Sequence, residues 1–330
     1  MSRRLSRLTA TLAVGATVAV AGCGNGSSGG AEDTDGSKGA LVAGVSQLAA
    51  ADVLTTTLQL DVTPDQLQQL AESSGDDLST TAAEAISSGR LVIETTKDKT
   101  FSLTAVDGGK KLLEIRVVDN DLYLKGDLQA GFELAGNPDG LDKVKAQAAR
   151  LPDFVGAFIN GDWVSLDAQA LSGLAGSFGA TATSSPSGDE GPQLLAQLRR
   201  TIESDITVKE VGTDSAGDHV QLSGDARALA ADLQEAIQKT VPGGAALAGR
   251  LDASTTESRT ITLDAWVNDG ALSKLSMDLA QFDDNNELPE GTKLPIVLTF
   301  EQSGHTISAP AGATPVDLSQ LGPLLSGFAG

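Results

Sequence analysis

Apolar residues recur along the chain in two different spacings, one typical of helices and one of strands. Between residues 40 and 53 they return every three or four positions, which predicts a first helix. From Leu58 to Val62 they alternate with polar residues, as in a strand with one polar face. Thr63 and Pro64 are typical of an N-cap and first helical position, so a second helix is predicted there and a third over 78–86.

Four strands separated by turn residues are predicted next. The apolar residues of the second strand share one face, and so do those of the third, where Glu114 and Arg116 point the other way. Alternation of this kind indicates an antiparallel sheet with one covered and one exposed face. The four strands are Leu91 to Thr95, Phe101 to Val106, Lys111 to Val118 and Leu122 to Lys125.

The second half of the chain continues in the same style. Asp225 is predicted to cap an amphipathic helix that reaches Thr240, and Asn268-Asp269-Gly270 joins the clearest hairpin. The whole pattern predicts an α+β fold in which a few helices pack on one face of a large antiparallel sheet. The remaining predicted elements are a helix near 141–150, a short strand within 161–167, strands over 206–211 and 219–223, the hairpin strands 260–267 and 272–279, and a last pair over 296–302 and 305–308.

One long segment of small and polar residues interrupts this pattern. Residues 176–192 read GSFGATATSSPSGDEGP, a composition that favours a mobile loop. Strands and helices resume in the same style after it. We therefore interpret it as an insertion within a single α+β domain that covers residues 40–330.

The N-terminus has the composition of a lipoprotein signal peptide. Residues 1–22 combine a basic start with an uncharged apolar run too short to span a bilayer as a mature helix. The run ends in Val20-Ala21-Gly22-Cys23, which resembles a bacterial lipobox, and Cys23 is the only cysteine of the 330 residues. We expect Cys23 to carry a diacylglyceryl anchor, and residues 23–39 to form a flexible Gly/Ser/acidic tether. This places the protein on the outer face of the cytoplasmic membrane.

Charge narrows the possible partners. The formal net charge is −21, which opposes binding to phosphate backbones, so nucleic acid is excluded as a partner. The same charge opposes docking on anionic lipid through a basic patch. Attachment to the membrane is therefore expected through the lipid on Cys23.

The sequence offers little catalytic chemistry. His219 and His305 are the only histidines, and the motifs typical of zinc proteases, serine hydrolases and phosphate-binding loops do not occur. The acidic run 283–287 is followed by Leu288 where a calcium loop needs glycine. We expect no enzyme activity, no cofactor and no metal site.

Trp163 and Trp266 lie on strands with a parity opposite to that of their aliphatic neighbours. Two interpretations stay open. Either the two rings cover the second face of the sheet, or they line a groove.

Four features occur in a recognisable order: the lipobox with its tether, a helix that leads into a strand, VVDNDLYLKGD followed by GDWVSLD, and TITLDAWVNDGALSKLSMDL. This order resembles the LppX/LprG-type envelope lipoproteins of high-GC Gram-positive bacteria, which share a fold with the carrier LolA. The resemblance implies a curved half-barrel, with an acyl chain held in an apolar cavity between sheet and helices. Helix 225–240 would then serve as a lid.

Ten residues are expected to line such a cavity. A lining of this kind takes up an acyl chain without any hydrogen-bonding group. The alternative is that the same residues fill a solid core, in which case the protein is a non-catalytic scaffold or accessory lipoprotein for another envelope protein. The ten residues are Phe101, Leu103, Leu113, Ile115, Val117, Ile261, Leu263, Leu275, Met277 and Leu279.

Overall fold

The computed structural model describes residues 36–134, 136–148, 152–167, 204, 206–240, 258–283, 288–289 and 291–317. The predicted signal peptide, the tether up to residue 35 and the predicted insertion 176–192 lie outside these residues. Within the described part the secondary structure is mixed, and the predicted α+β class with a large, mostly antiparallel sheet is confirmed.

Seven helices lie within the described residues: α1 (Gly36–Ala49), α2 (Pro64–Ser74), α3 (Thr80–Ser88), α4 (Leu128–Leu134), α5 (Gly140–Ala148), α6 (Asp153–Ile159) and α7 (Ala226–Thr240). The strands of the same residues are β1 (Val53–Leu60), β2 (Arg90–Thr96), β3 (Phe101–Asp107), β4 (Lys110–Val118), β5 (Asp121–Gly126), β6 (Val164–Leu166), β7 (Thr207–Asp214), β8 (Gly217–Asp225), β9 (Thr260–Asn268), β10 (Ala271–Asp278), β11 (Pro295–Glu301) and β12 (Thr314–Pro315).

The chain divides into two compact units. The first unit comprises Met1–Leu58, Thr183–Asn286 and Gly291–Gly304. The second unit comprises Gln59–Ala182, Glu287–Glu290 and His305–Gly330. Each unit contains one run of neighbouring strands, and the two are described separately below.

In the first unit the strand order is β1-β11-β10-β9-β8-β7, and the pairs from β11 to β7 are antiparallel. Helix α1 packs on β10, β9 and β7. It approaches the sheet closely because Gly44 faces the strand: a Cβ at this position would lie 2.8 Å from the backbone nitrogen of Leu272. The resulting core consists of Leu41, Leu48, Ala51, Leu54, Val220, Leu222, Ala265, Val267 and Leu272.

In the second unit the strand order is β12-β6-β5-β4-β3-β2, antiparallel except for the parallel pair of β12 with β6. Its tight turns follow the predicted chemistry. Gly108 and Gly109 have positive φ between β3 and β4, and so do Asp119 and Asn120 between β4 and β5. Helix α6 packs on β5 and β6 at one edge of this run.

Local signals located several elements correctly. Thr63 caps α2 through a complete capping box with Gln66, and Pro64 occupies the first turn. Ser79 caps α3 by accepting a hydrogen bond from the backbone of Ala82. The hairpin of β9 and β10 turns at Asp269 and Gly270, both with positive φ.

Helix α1 begins at Gly36, four residues before the predicted start and within the predicted tether. Side-chain contacts extend the helix toward the N-terminus. The hydroxyl of Ser37 donates to the carboxylate of Glu210, and the ammonium of Lys38 lies 3.0 Å from the carbonyl oxygen of Ile206. Both contacts connect the first turn of the helix to residues in or next to β7. Periodicity in the sequence does not reveal contacts between residues so far apart.

Two predicted strand assignments were wrong. Residues 305–308 form no strand, and Ile307 is buried in irregular structure instead. Leu279 does not continue β10, because the chain turns there into a short 3₁₀ helix, Leu279–Phe282. Asp278 starts this turn, since its carboxylate accepts a hydrogen bond from the backbone of Ala280.

Candidate functional site

The apolar residues of the second unit form continuous rows across four strands. In one row Phe101 pairs with Val117, Val117 with Leu122 and Leu122 with Leu166. Residues that pair directly across strands project from the same face of a sheet. We call this row and the next one the apolar rows, and the second of them is Leu103, Ile115, Leu124 and Val164.

The apolar rows are only partly covered. Val164 is buried, at 4 % exposure, but the other seven side chains of the two rows are half-buried. Leu113 belongs to the same face through its pairing with Ala105, and it is half-buried as well. Five of the ten predicted lining residues are thus brought together on one face: Phe101, Leu103, Leu113, Ile115 and Val117.

Helix α6 covers one end of this face. Gly126 pairs with Leu113, and a Cβ at Gly126 would lie 2.9 Å from Cζ of Phe158. The ring of Phe158 therefore rests directly on the backbone of β5, where only a glycine leaves room for it. This contact closes the sheet face beyond the apolar rows.

Part of the opposite face of the same strands is polar and buried, whereas an exposed face was expected. Ser102, Thr104 and Glu114 have exposures of only 4 %, 6 % and 6 %. The parity prediction itself is confirmed, because Glu114 pairs with Thr104, and Arg116 with Ser102. Small hydroxyl side chains and a paired carboxylate allow this face to be buried without an unpaired charge.

Glu114 is neutralised by two cations. Its carboxylate accepts a hydrogen bond from the ammonium of Lys111 at 2.9 Å and from Nε of Arg116 at 2.8 Å. Burial favours the neutral acid, but the hydrogen bonds and charges of Lys111 and Arg116 outweigh it and hold the pKa of Glu114 below its usual value. Arg116 also donates to the carbonyl oxygen of Ser308, in the irregular segment that follows Gly304.

A cleft of about 570 Å³ opens beside these residues. Trp163 lies in its wall with the guanidinium of Arg116 over the ring, 4.8 Å from the ring centroid. Of the two interpretations for the tryptophans, the groove applies to Trp163. We call this the cationic cleft, and its lining consists of Lys111, Leu113, Glu114, Arg116, Lys125, Gly126, Asp127, Asn160, Gly161 and Trp163.

The other five predicted lining residues lie in the first unit. Ile261 is buried at 9 %, and Leu263 and Leu275 pack against the core beneath helix α1. Met277 pairs with Ile296 of β11 and is half-buried. Leu279 lies in the 3₁₀ helix. Leu263 and Leu275 therefore contribute to a filled core, which is the alternative that sequence periodicity left open.

Trp266 follows the other interpretation, because it covers the second face of its sheet. It is 7 % exposed and lies between the stacked ring of His219, at 4.3 Å, and the ammonium of Lys274, at 4.2 Å from the ring centroid. Its indole nitrogen donates to Asp214 at 2.8 Å. This hydrogen bond makes the largest contribution to lowering the pKa of Asp214, and a hydrogen bond from the backbone of Ala216 makes the next largest.

A smaller cleft of about 350 Å³ lies at the start of helix α1. Ser37 and Glu210, which are hydrogen-bonded to each other, line it together with Asp218 and His219. Its lining mixes polar and apolar residues and includes none of the ten predicted residues. It lies where the predicted tether joins the first unit.

Helix α7 was predicted as a lid. Its cap is confirmed, because the carboxylate of Asp225 accepts from the backbone of Ala228 at 2.9 Å and from the hydroxyl of Ser258 at 2.5 Å. These two bonds lower the pKa of Asp225, with the hydroxyl of Ser258 making the larger contribution. The helix lies beside β8 of the first unit, and the lid itself stays a prediction.

Leu122, Leu124, Val164 and Leu166 belong to the apolar rows but were absent from the predicted lining. Alternation in the sequence places Leu122 and Leu124 on one face of their strand, so this signal was available. Pairing with β4 was needed to show that this face continues the rows of Ile115 and Val117. The three residues of β6 are too few for periodicity to assign a face.

The described residues contain neither a membrane-spanning helix nor a cluster of metal ligands. Among them, no helix combines the length and apolar character needed to cross a membrane. No group of three or more His, Cys, Asp or Glu side chains in the described ranges is arranged to hold a metal ion.

Comparison with known proteins shows similarity to solved structures alone. No family model matches the sequence, and no curated protein matches it. Among solved structures, the lipoprotein LppX of Mycobacterium tuberculosis is similar, with a TM-score of 0.31 and 10 % identity over 81 % of this chain and 94 % of LppX. A likeness of this size carries no functional assignment, and membership of the LppX/LprG-type family stays a prediction.

Proposed function

We propose that this protein is exported, is anchored to the outer face of the cytoplasmic membrane through Cys23, and binds an acyl chain on the apolar rows of its second unit. The single observation that supports the ligand is the half-burial of seven of the eight side chains in those rows. Large apolar side chains in adjacent rows are ordinarily buried by the fold itself, and a partly covered apolar face marks an interaction site.

The chemistry of the rows selects the class of ligand. Every side chain in them is a hydrocarbon, so they offer no hydrogen bond and no charge to a ligand. Removing apolar surface from water is then the only driving force, at about 25 cal/mol for each Å² that is covered. An unbranched acyl chain matches a surface of this kind because it also needs no polar partner.

The lipid anchor determines where in the cell envelope the protein binds its ligand. A lipidated Cys23 holds the protein at the bilayer surface, because two or more acyl chains together bind a membrane far more firmly than one. The predicted tether keeps the folded part within reach of that surface. The proposed substrate is therefore a lipid or a lipidated protein of the envelope.

Native mass spectrometry with organic extraction tests the ligand. Residues 24–330, expressed without the anchor, are expected to carry a lipid in roughly stoichiometric amount. Leu103→Gln places an amide in the apolar rows and should abolish this binding, while Leu275→Gln makes the same change in the first unit and should retain it. Circular dichroism would verify that both variants fold.

The scaffold interpretation makes the opposite prediction. If the unmodified protein has a clean apo mass and binds no added acyl-chain lipid, the apolar rows are not a lipid site. The protein would then be better described as an accessory lipoprotein that presents this face to another protein.

Membrane fractionation tests the anchor independently. Cys23→Ser removes the thiol that the lipid would modify, so the variant is expected to leave the membrane fraction. Continued fractionation with membranes would contradict the lipobox interpretation without affecting the proposal for the ligand.

A further inference from the structure

We propose that the cationic cleft is a second binding site and that it takes an oxyanion, a phosphate or carboxylate group carried by a polar ligand. Glu114 and Lys125, which pair on the polar face of β4 and β5, both line the cleft, and so does Leu113 of the opposite face. None of the eight side chains of the apolar rows lines it. The proposal therefore rests on a different set of residues from the proposed function and is independent of it.

The charge of the cleft is opposite in sign to that of the protein. The chain as a whole has a formal charge of −21. Three cations, Lys111, Arg116 and Lys125, line the cleft against two acids, Glu114 and Asp127. An anion that is repelled by most of the surface is attracted where the local potential is positive, and clefts concentrate such fields.

The buried carboxylate of Glu114 holds two of these three cations in place, and its single negative charge does not neutralise all three positive charges. Glu114 accepts from Lys111 and Arg116, and it is nearly inaccessible to solvent. Lys111 remains 62 % exposed, so its other protons face solvent. Arg116 directs Nε and Nη2 to Glu114 and Nη1 to Ser308, which fixes the plane of its guanidinium.

Lys125 is the third cation of the cleft, beside Lys111 and Arg116, which both pair with Glu114. It is exposed on β5, directly opposite Glu114, and it lines the cleft. Together with Lys111 and Arg116, it gives the lining three cationic N–H donors. Charge-assisted hydrogen bonds from Lys and Arg are those by which proteins hold phosphate and carboxylate oxygens.

The remaining lining completes a site of suitable size. A volume of about 570 Å³ lies within the range of small-molecule sites, roughly 300–1,000 Å³. Asn160 and Gly161 form one wall after helix α6, where Gly161 has φ of +77° and a Cβ on it would lie 3.5 Å from the carbonyl oxygen of Gly126. Trp163, held beneath Arg116, offers a rigid aromatic wall for the rest of a polar ligand.

Amide chemical-shift perturbation on the full chain carrying Cys23→Ser tests the site, with inorganic phosphate as the probe at constant ionic strength. The amides of Gly126 and Gly161 should shift in a saturable manner. Lys125→Ala should weaken binding about tenfold, the effect of one charged hydrogen bond. Lys110→Ala removes the same charge from an exposed strand position outside the cleft and should leave affinity unchanged.

The results that overturn the proposal are equally specific. No saturable shift at Gly126 and Gly161 with millimolar phosphate would refute it, and so would equal weakening by Lys110→Ala, which would indicate general charge screening. Vesicles identify the source of the anion. Additional binding to phosphatidylglycerol but not phosphatidylcholine vesicles would support a lipid headgroup, whereas binding of inorganic phosphate alone would support a soluble ligand.

Discussion

The two units differ in which face of their strands they cover. In the first unit helix α1 covers the apolar face, where Leu41 is 1 % and Ala265 0 % exposed. In the second unit the polar face holds the buried Ser102 and Glu114, while the apolar rows stay half-buried. A fold ordinarily buries hydrocarbon first because this burial supplies most of its stability. Strands β3 to β5 of the second unit depart from that order, although Ile93, which pairs with Leu103 from β2, is buried at 3 %. This is why we locate the ligand on those strands.

Glu114 makes this departure physically possible. A carboxylate buried without partners would be strongly destabilising, but here Lys111 and Arg116 compensate its charge. The neighbouring Ser102 and Thr104 are small and add little desolvation cost. Burial of this polar face in the second unit therefore depends on the two cations that pair with Glu114.

Leu41→Ala should have the largest effect, because it removes the most deeply buried leucine of the first unit. We expect a loss of about 2–5 kcal/mol in the free energy of unfolding, from lost burial and the cavity left behind. Urea denaturation measures it. Val211→Ala, at a position 53 % exposed on β7, is the control and should change stability by about 0.5 kcal/mol or less. A loss below that of the control would contradict a filled core.

Glu114→Gln should have an intermediate effect that depends on pH. At neutral pH we expect a loss of about 1–3 kcal/mol, because two charged hydrogen bonds lose their anionic acceptor. The pKa of Glu114 is below its ordinary 4.5 in the folded protein, so this stabilisation is present above that value and is lost as pH falls through the folded pKa. Denaturation of both proteins over a pH series measures the difference. A gap that stays constant into acid would contradict the role given to the carboxylate.

Leu103→Ala should have the smallest effect on stability. Its side chain is half-buried, so we expect a loss of about 1 kcal/mol in the free energy of unfolding, well below that of Leu41→Ala. Binding of an added acyl-chain lipid should weaken in the same variant. If Leu103→Ala is as destabilising as Leu41→Ala, the apolar rows are structural core and the comparison between the units fails.

Sequence reasoning located most of the strands and their parity, because alternation is a local signal. It assigned Phe101 and Leu103 to one face and Glu114 to the other, as the pairing of β3 with β4 shows. Alternation does not reveal which face is covered, since that depends on what packs against the sheet. Arg116, which bonds to the buried Glu114, also bonds to Ser308, which is far away along the chain.

The wrong strand at 305–308 has a similar cause. Ser303-Gly304 was interpreted as a hairpin turn, but Gly304 is required for a close approach to β1. A Cβ there would lie 2.3 Å from Cγ1 of Val53, and the hydroxyl of Thr55 donates to the carbonyl of Ser303. Helices α4 and α6 were not predicted. Each has only seven residues, which is less than two helical turns and too short for a helical period to be recognised in the sequence.

Photo-crosslinking with a diazirine-labelled fatty acid, followed by peptide mapping, tests the central claim most directly. Adducts are expected on β3, β4 and β5, at or beside Phe101, Leu103, Ile115 and Val117, and an excess of unlabelled fatty acid should suppress them. Adducts that map instead to Ile261, Leu263 or Leu275 of the first unit would contradict the account, and so would labelling that unlabelled fatty acid does not suppress.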